Sequence, residues 1–572
     1  MFSVVSTLLS HGQPAVHTSE SDKIMRTFRL PSNFDPLTYD LHYTIDFNEF
    51  NVTAESGGWQ QASVSLVVYC KRTSDSMTLH ARTDRIQVDN VTVWAPRRRR
   101  LTVAAVDSNH RQQTITLRLA RPEQFAVAMP YTIEIEFQVL VRAGFKIDGL
   151  TWFAGSQFVT TLSQPIKARA LFPCFDEPRF RSIFTLSVQL IGFDERAVVL
   201  SNGKAHEAGN HTWQFDRTLP MATYLLQLTI GVYDKLCTPF HKPKDELCVW
   251  FASVRSIRTE IVDRQKTMRL LAREMLNAYS AVSAYLNDLR PPGRIDVVFA
   301  PMDHRTGGME YWGLMSLQMF YLLRPENKLL KLVRHELLHY WFGNLATPAH
   351  WKHILLSESI VQYLLEHLFH HQPRSRTLPQ TKDKRGVPTD SARIVSSEWI
   401  WSEAGLPYLA YGYGAVVTRT FARVIGGDVM RHVLGRYVRQ YSMRAAATDD
   451  FLRIVADELR VRSVHNRATI VDAWCRFLHS DGHPKVLVDV DYASGVATLN
   501  TMTDDWIVPL WVSVDKQLRR HEKAWLVWLL PNQTLVANVS RLLAHGQHVL
   551  TGINEHMGAM PYEFVLNNRN QR

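Results

Sequence analysis

Two histidines spaced by four residues constrain this chain more than any other feature. Glu336 lies between His335 and His339 in the segment VRHELLHYWFGNL. On a helix, residues four apart lie on one face, so both imidazoles can reach one metal ion. Glu358 follows in an apolar-periodic run that predicts a second helix packed on the first. Two histidines and a glutamate leave the fourth tetrahedral position of zinc open, which is typical of a catalytic site.

The alternative for a bare HExxH motif is an amphipathic core helix whose histidines lie one turn apart by chance. The downstream Glu358 argues against that alternative. Moreover, HELLHYWFGNLAT followed by this glutamate resembles the zinc aminopeptidases of the aminopeptidase N type, gluzincins with a thermolysin-like catalytic domain. The resemblance runs from about Arg29 to the C-terminus. It implies one zinc ion per chain on His335, His339 and Glu358, Glu336 as general base, and peptide substrates with free N-termini.

Three further segments resemble motifs of the same family. The segment GGMEYWGL resembles the family's Gly-Ala-Met-Glu-Asn-Trp-Gly-Leu signature and implies that Glu310 binds the substrate amine, with Gly308 and Met309 at the substrate pocket. A carboxylate near the metal suits this role, because it selects a free N-terminus. In TTLSQPIKARALFPCFDEP, Gln164 aligns with a residue that helps to hold the amine. In LPYLAYGYGAVV, Tyr411 aligns with a tyrosine that can stabilise the oxyanion.

Several positions depart from the family pattern around these motifs. They are Leu162, Ala170, Tyr311, Ser357, Ser359, Leu365 and Tyr413. Loss of a residue that orients a metal ligand can cost about 10-fold to 100-fold in metal affinity or activity. Most relatives of this type also carry a large C-terminal helical domain, which we expect this sequence to lack.

Two functions of different classes follow from this pattern. An active zinc aminopeptidase is favoured, because the ligands, the base, Glu310 and Tyr411 are all retained together. The alternative is a weakened or inactive paralogue that acts as a peptide-binding or receptor-like protein on the same fold. A third hypothesis, an endopeptidase, requires that the Glu310 side chain does not face the metal.

Length and periodicity predict an α+β multidomain protein, since 572 residues exceed what one core accommodates. We expect an N-terminal extension over 1–23 and, from its period-two alternation, a β-sandwich or saddle domain over 24–235. Residues 236–487 are expected to form the mainly helical, thermolysin-like catalytic domain. Returning alternation predicts a small C-terminal β-sandwich over 488–572.

The net charge of +11 raises the question of nucleic-acid binding. The basic run Arg97 to Arg100 lies between two strand-like segments, VTVW and LTVAAV, which favours a solvated hairpin tip. The sequence contains no recognisable nucleic-acid-binding module. We therefore expect no nucleic-acid partner.

Cellular location is constrained only weakly by the sequence. The N-terminus lacks a basic n-region and a stretch long enough for a membrane span, although membrane association through other means stays open. Cys237 and Cys248 are close enough in sequence to bridge a hairpin in an extracellular chain, or to stay thiols in a cytosolic one. Together with the N-glycosylation sequons, this favours the cell surface or exterior over the cytoplasm. The sequons begin at Asn51, Asn90, Asn210, Asn532 and Asn538.

Overall fold

A computed structural model describes most of the chain. The described residues are 29–50, 57–144, 149–153, 157–240, 242–253, 263–302, 307–371, 408–480, 483–502, 506–512, 525–531, 533–538 and 562–569. The predicted N-terminal extension, 1–23, and the sequon residues Asn51 and Asn532 lie outside them. The exposed sequon residues Asn90 and Asn210 lie within them.

The N-terminal part of the chain is β-rich, as its alternating sequence predicts. Its strands are β1 (Phe34–Asp46), β2 (Gly58–Cys70), β3 (Ser76–His80), β4 (Ile86–Ala95), β5 (Arg99–Leu101), β6 (Val103–Asn109), β7 (Thr114–Leu119), β8 (Pro130–Ala143), β9 (Gly149–Phe153), β10 (Phe158–Leu162), β11 (Ile183–Ile191), β12 (Val198–Ser201), β13 (Ala205–Glu207), β14 (Thr212–Phe215) and β15 (Leu228–Gly231). In β1, Tyr39, Leu41, Tyr43 and Ile45 are buried, while the residues that alternate with them are more exposed. One face of the strand therefore packs on the core.

Most of these strands form one large sheet with the order β12-β15-β10-β9-β8-β2-β1-β11-β14-β13, in which β4 also pairs with β8 and β5 pairs with β4. A second sheet has the order β3-β7-β6. Strands β4 and β5 pair as an antiparallel hairpin, with Arg97 and Arg98 at the predicted tip and Arg99 and Arg100 in β5. Strand β10 positions the site, because the segment that contains Gln164 leaves directly from its end.

A five-stranded sheet follows, with the order β16-β17-β18-β20-β19. Its strands are β16 (Tyr233–Phe240), β17 (Lys242–Ala252), β18 (Asp296–Ala300), β19 (Gly308–Met309) and β20 (Leu314–Gln318). Strand β18 is parallel to β17 and β20, and all of its residues are buried. The short strand β19 runs antiparallel to β20 at the edge of the sheet. Cys237 and Cys248 lie opposite each other in the β16–β17 hairpin and form a disulfide.

Eight helices in the described residues complete the central part of the chain. They are α1 (Arg264–Tyr285), α2 (Glu326–Leu338), α3 (Glu358–Phe369), α4 (Tyr408–Tyr411), α5 (Tyr413–Ile425), α6 (Gly427–Gln440), α7 (Thr448–Val461) and α8 (Arg467–His479). Helix α1 begins at a cap in which the Asp263 side chain accepts from the Lys266 backbone N–H, and it buries Met268, Leu271 and Met275 on one stripe. Helices α2 and α3 pack on each other and bring the predicted metal ligands together.

The remaining strands are β21 (Ala346–Pro348) and β22 (Arg444–Ala446), which pair in parallel, and six strands near the C-terminus. These six are β23 (Lys485–Asp491), β24 (Val496–Thr501), β25 (Val508–Val512), β26 (Trp525–Leu529), β27 (Leu535–Asn538) and β28 (Glu563–Arg569). They form a four-stranded sheet, β27-β24-β23-β28, and a β25–β26 hairpin. The C-terminal sandwich and the domain limits stay predictions. In the part of the chain that the structure describes, no helix is both long and apolar enough to span a bilayer.

Candidate metal centre

Three side chains converge where helices α2 and α3 meet. His335 lies in the last turn of α2, His339 caps its C-terminal end, and Glu358 is the first residue of α3. The two histidine Nε2 atoms are 3.1 Å apart, and they lie 3.5 Å (His335) and 3.4 Å (His339) from Glu358 Oε2. Ligand atoms held by one tetrahedral zinc ion at about 2.0–2.2 Å are about 3.3–3.6 Å apart. The two separations from Glu358 lie in this range and the separation between the histidines is slightly shorter, so the three atoms are close to the spacing that one zinc ion requires.

The charges at this site also suit a cation. Glu358 is buried, and no hydrogen-bond partner satisfies its Oε2 within the described residues. Burial lowers the pKa of His339, but Glu358 and Glu310 outweigh burial and raise it to about 10. Burial also opposes ionisation of Glu358, yet the charge of His339 brings the pKa of Glu358 well below its usual range. A bound cation would compensate these buried carboxylates in place of an imidazolium.

Each histidine has a partner for its second ring nitrogen. His339 Nδ1 lies 3.0 Å from the Phe342 carbonyl oxygen and 2.9 Å from Ser357 Oγ. When a cation replaces the second ring proton, donation from Nδ1–H to the carbonyl fixes the tautomer whose Nε2 lone pair is free to bind that cation. His335 Nδ1 lies 3.2 Å from the side-chain amide of Gln362. Ser357, which departs from the family pattern, thus has a defined contact in this site.

Glu336 is buried between the candidate ligands and strand β19. One carboxylate oxygen from each of Glu336 and Glu310 and one ring nitrogen of His339 lie within 4.8 Å of one another. Burial raises the pKa of Glu336 well above its usual value, His339 opposes this shift, and the neighbouring carboxylates add to it. A Cβ atom on Gly308 would lie 2.6 Å from Glu336 Oε1, so the absence of a side chain there leaves room for the carboxylate.

The peptide groups around Glu310 are held from three sides. Asn344 Nδ2 donates to the Glu310 carbonyl oxygen at 2.7 Å, and Tyr340 Oη donates to the next carbonyl oxygen, that of Tyr311, at 3.2 Å. Asn202 Nδ2, from the β-rich part of the chain, donates to the Trp312 carbonyl oxygen at 2.8 Å. Burial raises the pKa of Glu310, and His339 lowers it. The backbone that carries Glu310 is therefore held in place beside the metal ligands.

The hydroxyl of Tyr311 connects Glu310 with the segment that follows β10. This hydroxyl donates to the Thr161 carbonyl oxygen at 3.1 Å and accepts from the Ser163 backbone N–H at 3.4 Å. Gln164, the next residue along, is partly exposed. Tyr311 itself is fully buried. The two residues predicted to hold a substrate amine come from different parts of the chain, and this hydroxyl joins the segments that contain them.

Tyr411, at the end of α4, lies beside the ligands. Its ring centroid is 6.2 Å from that of His335. Burial raises the pKa of Tyr411 well above its usual value, and the charge of the nearby Glu358 raises it further. The phenol therefore keeps its proton at neutral pH and can donate it in a hydrogen bond. Ser359 Oγ donates to the Ala410 carbonyl oxygen at 2.6 Å and thereby links α3 to the turn before Tyr411.

Arg181, just before β11, secures the loop after His339 from the β-rich side. One of its Nη atoms donates to the Asn344 carbonyl oxygen at 2.9 Å and also contacts Thr347 Oγ1. Burial lowers its pKa to about 10, so the guanidinium is still charged at neutral pH. Tyr224 Oη donates to the Gly343 carbonyl oxygen at 3.3 Å in the same loop. The β-rich part thus shapes the site although it contributes none of the three candidate ligands.

The structure brings together His335, His339 and Glu358 with Glu336, Glu310, Gly308 and Tyr411, as the sequence predicts. Met309 is buried in β19, next to Glu310. Their catalytic and binding roles stay predictions. Sequence reasoning missed Gln362, although its position one turn after Glu358 is a signal that was present. It also missed Asn202, Asn344 and Arg181, whose contacts depend on segments distant in sequence.

Together, fold and site define the gluzincin class of metal centre, in which an HExxH helix and a glutamate from a following helix converge. Residues 35–225 match the model of the peptidase M1 N-terminal domain, and residues 280–474 match that of the peptidase family M1 domain. The chain belongs to peptidase family M1.

The chain is similar to several curated aminopeptidases. It is 23% identical to glutamyl aminopeptidase of Sus scrofa, over 81% of this chain and 49% of that protein. It is 24% identical to membrane alanyl aminopeptidase of Heliothis virescens, over 84% and 50% of the two chains. It is 27% identical to aminopeptidase N of Lactobacillus delbrueckii subsp. lactis, over 60% and 40%. The chain therefore spans about half the length of these relatives or less.

Proposed function

We propose that this protein is a zinc-dependent aminopeptidase that removes N-terminal residues from peptides. The observation that carries this proposal is the convergence of three ligand atoms at the spacing of one zinc ion, with two further carboxylates beside them. The His335, His339 and Glu358 atoms are 3.1–3.5 Å apart, and Glu310 and Glu336 lie within 4.8 Å of His339. The names of the relatives, all aminopeptidases, support the same reaction class.

His335, His339 and Glu358 would hold the zinc ion, one per chain. When bound there, zinc polarises the scissile carbonyl and lowers the pKa of an attacking water. Glu336 accepts the proton of that water and returns it to the leaving amine. Its burial suits both steps, because a raised carboxyl pKa brings proton uptake and release closer to neutral pH.

Glu310 would restrict the reaction to free N-termini. A protonated amine neutralises this buried carboxylate, and the ion pair fixes the first peptide bond of the substrate at the metal site. Gln164 adds a second contact to the amine in this proposal, and Gly308 and Met309 line the pocket. The peptide groups next to Glu310 are held by Asn344 and Tyr340.

Tyr411 would stabilise the oxyanion that forms on the scissile carbonyl. Its hydroxyl keeps its proton because burial and Glu358 raise its pKa. A hydrogen-bond donor that is held beside the metal ligands before the reaction needs little reorganisation when the charge develops. We also propose a location at the cell surface or exterior, which the disulfide between Cys237 and Cys248 supports.

Hydrolysis of a panel of aminoacyl fluorogenic amides by the purified protein tests the proposal. We expect activity that a chelator removes and added zinc restores. Glu336→Gln should lower kcat by about 100-fold or more while zinc binding persists, since general acid–base catalysis contributes about 10²–10⁴-fold. N-acetylated versions of the same substrates are the matched control and should not be cut.

The same experiment separates the alternatives. Cleavage of the N-acetylated substrates would contradict the role of Glu310 and indicate an endopeptidase. Stoichiometric zinc binding without cleavage of any substrate would contradict the aminopeptidase. In that case, peptide binding that Glu336→Gln leaves unchanged would identify a binding protein that retains the fold.

A further inference from the structure

Gln362 contacts a candidate metal ligand but belongs to none of the motifs in the sequence. It lies one helical turn after Glu358 on α3, so the two side chains project from the same face. Gln362 is 6% exposed, and its amide nitrogen is placed 3.2 Å from His335 Nδ1. Leu365, three residues further along the same helix, is buried and apolar.

The chemistry of the imidazole decides which end of the amide faces it. His335 faces Glu358 and His339 through Nε2. If Nε2 provides its lone pair to a metal, the ring proton resides on Nδ1, which becomes a donor. A donor requires an acceptor, and the side-chain oxygen of Gln362 is one. Exchange of the oxygen and nitrogen positions of the Gln362 amide places this oxygen next to Nδ1 and moves no other heavy atom. The contact is then Nδ1–H to Gln362 Oε1.

We propose that Gln362 is the positioning residue for His335, and that its neutral amide, in place of a carboxylate, sets the zinc affinity of the site. A carboxylate acceptor makes a charge-assisted hydrogen bond and increases the basicity of the ligand, whereas an amide does so less. The second ligand, His339, also has neutral partners, the Phe342 carbonyl and the Ser357 hydroxyl. These Nδ1 contacts are made to neutral groups, which favour weaker binding and faster exchange of zinc than carboxylates in the same positions would.

This inference rests on the proposed function, because it takes His335, His339 and Glu358 as zinc ligands. Its test measures metal binding and requires no turnover. The zinc dissociation constant of the full chain is determined by competition with a chromophoric chelator, for the wild type and for Gln362→Glu and Gln362→Met. Gln362→Glu adds a negative charge at nearly constant shape, and Gln362→Met removes the acceptor while it fills the same space.

We expect Gln362→Glu to bind zinc about 10-fold more tightly and to release it more slowly, and Gln362→Met to bind about 10-fold to 100-fold more weakly. The visible spectrum of the cobalt-substituted protein should change in both variants, because Gln362→Glu changes the basicity of His335 and Gln362→Met releases the orientation of its ring. Tyr363→Phe alters the neighbouring residue on the same helix and serves as the control, with zinc affinity within about twofold of wild type.

Either of two results would overturn the inference while the proposed function stands. The first is a Gln362→Met variant that is folded by circular dichroism and binds zinc as tightly as wild type. The second is a Gln362→Glu variant whose zinc affinity is no higher than that of wild type. A wild-type chain that takes up no zinc would instead refute the proposed metal site, and the inference with it.

Discussion

Replacement of Tyr311 by phenylalanine tests whether one hydroxyl joins the two halves of the proposed amine site. The ring is fully buried, and phenylalanine fills the same space except for the oxygen. Two contacts disappear, the donation to the Thr161 carbonyl at 3.1 Å and the acceptance from the Ser163 N–H at 3.4 Å. The variant therefore changes hydrogen bonding with little change in packing.

The geometry sets the size of the effect. A buried backbone N–H that loses its partner costs about 1–3 kcal/mol, and the long Ser163 contact places this case near the lower limit. A cost of about 1 kcal/mol corresponds to roughly fivefold faster amide exchange if the segment opens locally. If the amine is held less well before and during the reaction, KM for aminoacyl amides should rise by a similar factor with little change in kcat.

Hydrogen–deuterium exchange of peptides that cover 158–164, together with steady-state kinetics, is the assay. Tyr340→Phe is the matched control, because it removes a donor to the Tyr311 carbonyl oxygen without a contact to β10. Unchanged exchange at 158–164 in Tyr311→Phe would refute the reasoning. Equal acceleration in Tyr340→Phe would refute it as well, since the effect would then not belong to the hydroxyl.

Two further predictions concern the close approach of Gly308 to Glu336 and the burial of His353. Gly308→Ala should lower kcat by about 10-fold to 100-fold without loss of zinc, because a Cβ atom would displace Glu336. Gly427→Ala is the control and should leave kcat unchanged, because the space around Gly427 is open. Equal kcat values for both variants would contradict this prediction. Burial, and next the charge of Lys352, lowers the pKa of His353 to about 3, and its Nδ1 accepts from the Thr448 N–H at 3.2 Å. In the unfolded chain, His353 takes up a proton below about pH 6.5. The contribution of neutral His353 to the free energy of unfolding is therefore fully present above that pH, and it falls by up to about 1.4 kcal/mol per pH unit towards pH 3. Urea titrations at pH 7 and pH 5 should show a smaller loss for His353→Gln than for wild type, and an equal loss would count against this account.

The metal ligands were predictable because their geometry is local. A spacing of four residues on a helix fixes the relation of His335 to His339, and the periodic run after Trp351 predicts the helix that begins at Glu358. The alternation along β1 and the buried run of β18 were likewise visible in the sequence. In each case a single element determines the pattern, so no knowledge of the tertiary fold is needed.

The supporting contacts were not predictable in the same way. Tyr311 appears in the sequence only as a departure from a family motif, and its hydroxyl partner lies 148 residues away at Ser163. Ser357 likewise appears in the sequence only as a departure from the family pattern, yet its hydroxyl contacts His339 Nδ1. Long-range partners such as Asn202 leave no periodic signal, because a single hydrogen bond constrains one residue and not its neighbours. Local patterns therefore predict the ligands of such a site better than the residues that hold them.

The contacts of Arg181, Asn202 and Tyr224 have a consequence for the inheritance of this protein. These residues lie in the region matched by the N-terminal domain model, but they hold loops of the catalytic region. A recombination event between residues 225 and 280 would separate each of them from its partner. The two regions are therefore expected to evolve as one unit, with a substitution on either side of the contact selected together with its counterpart.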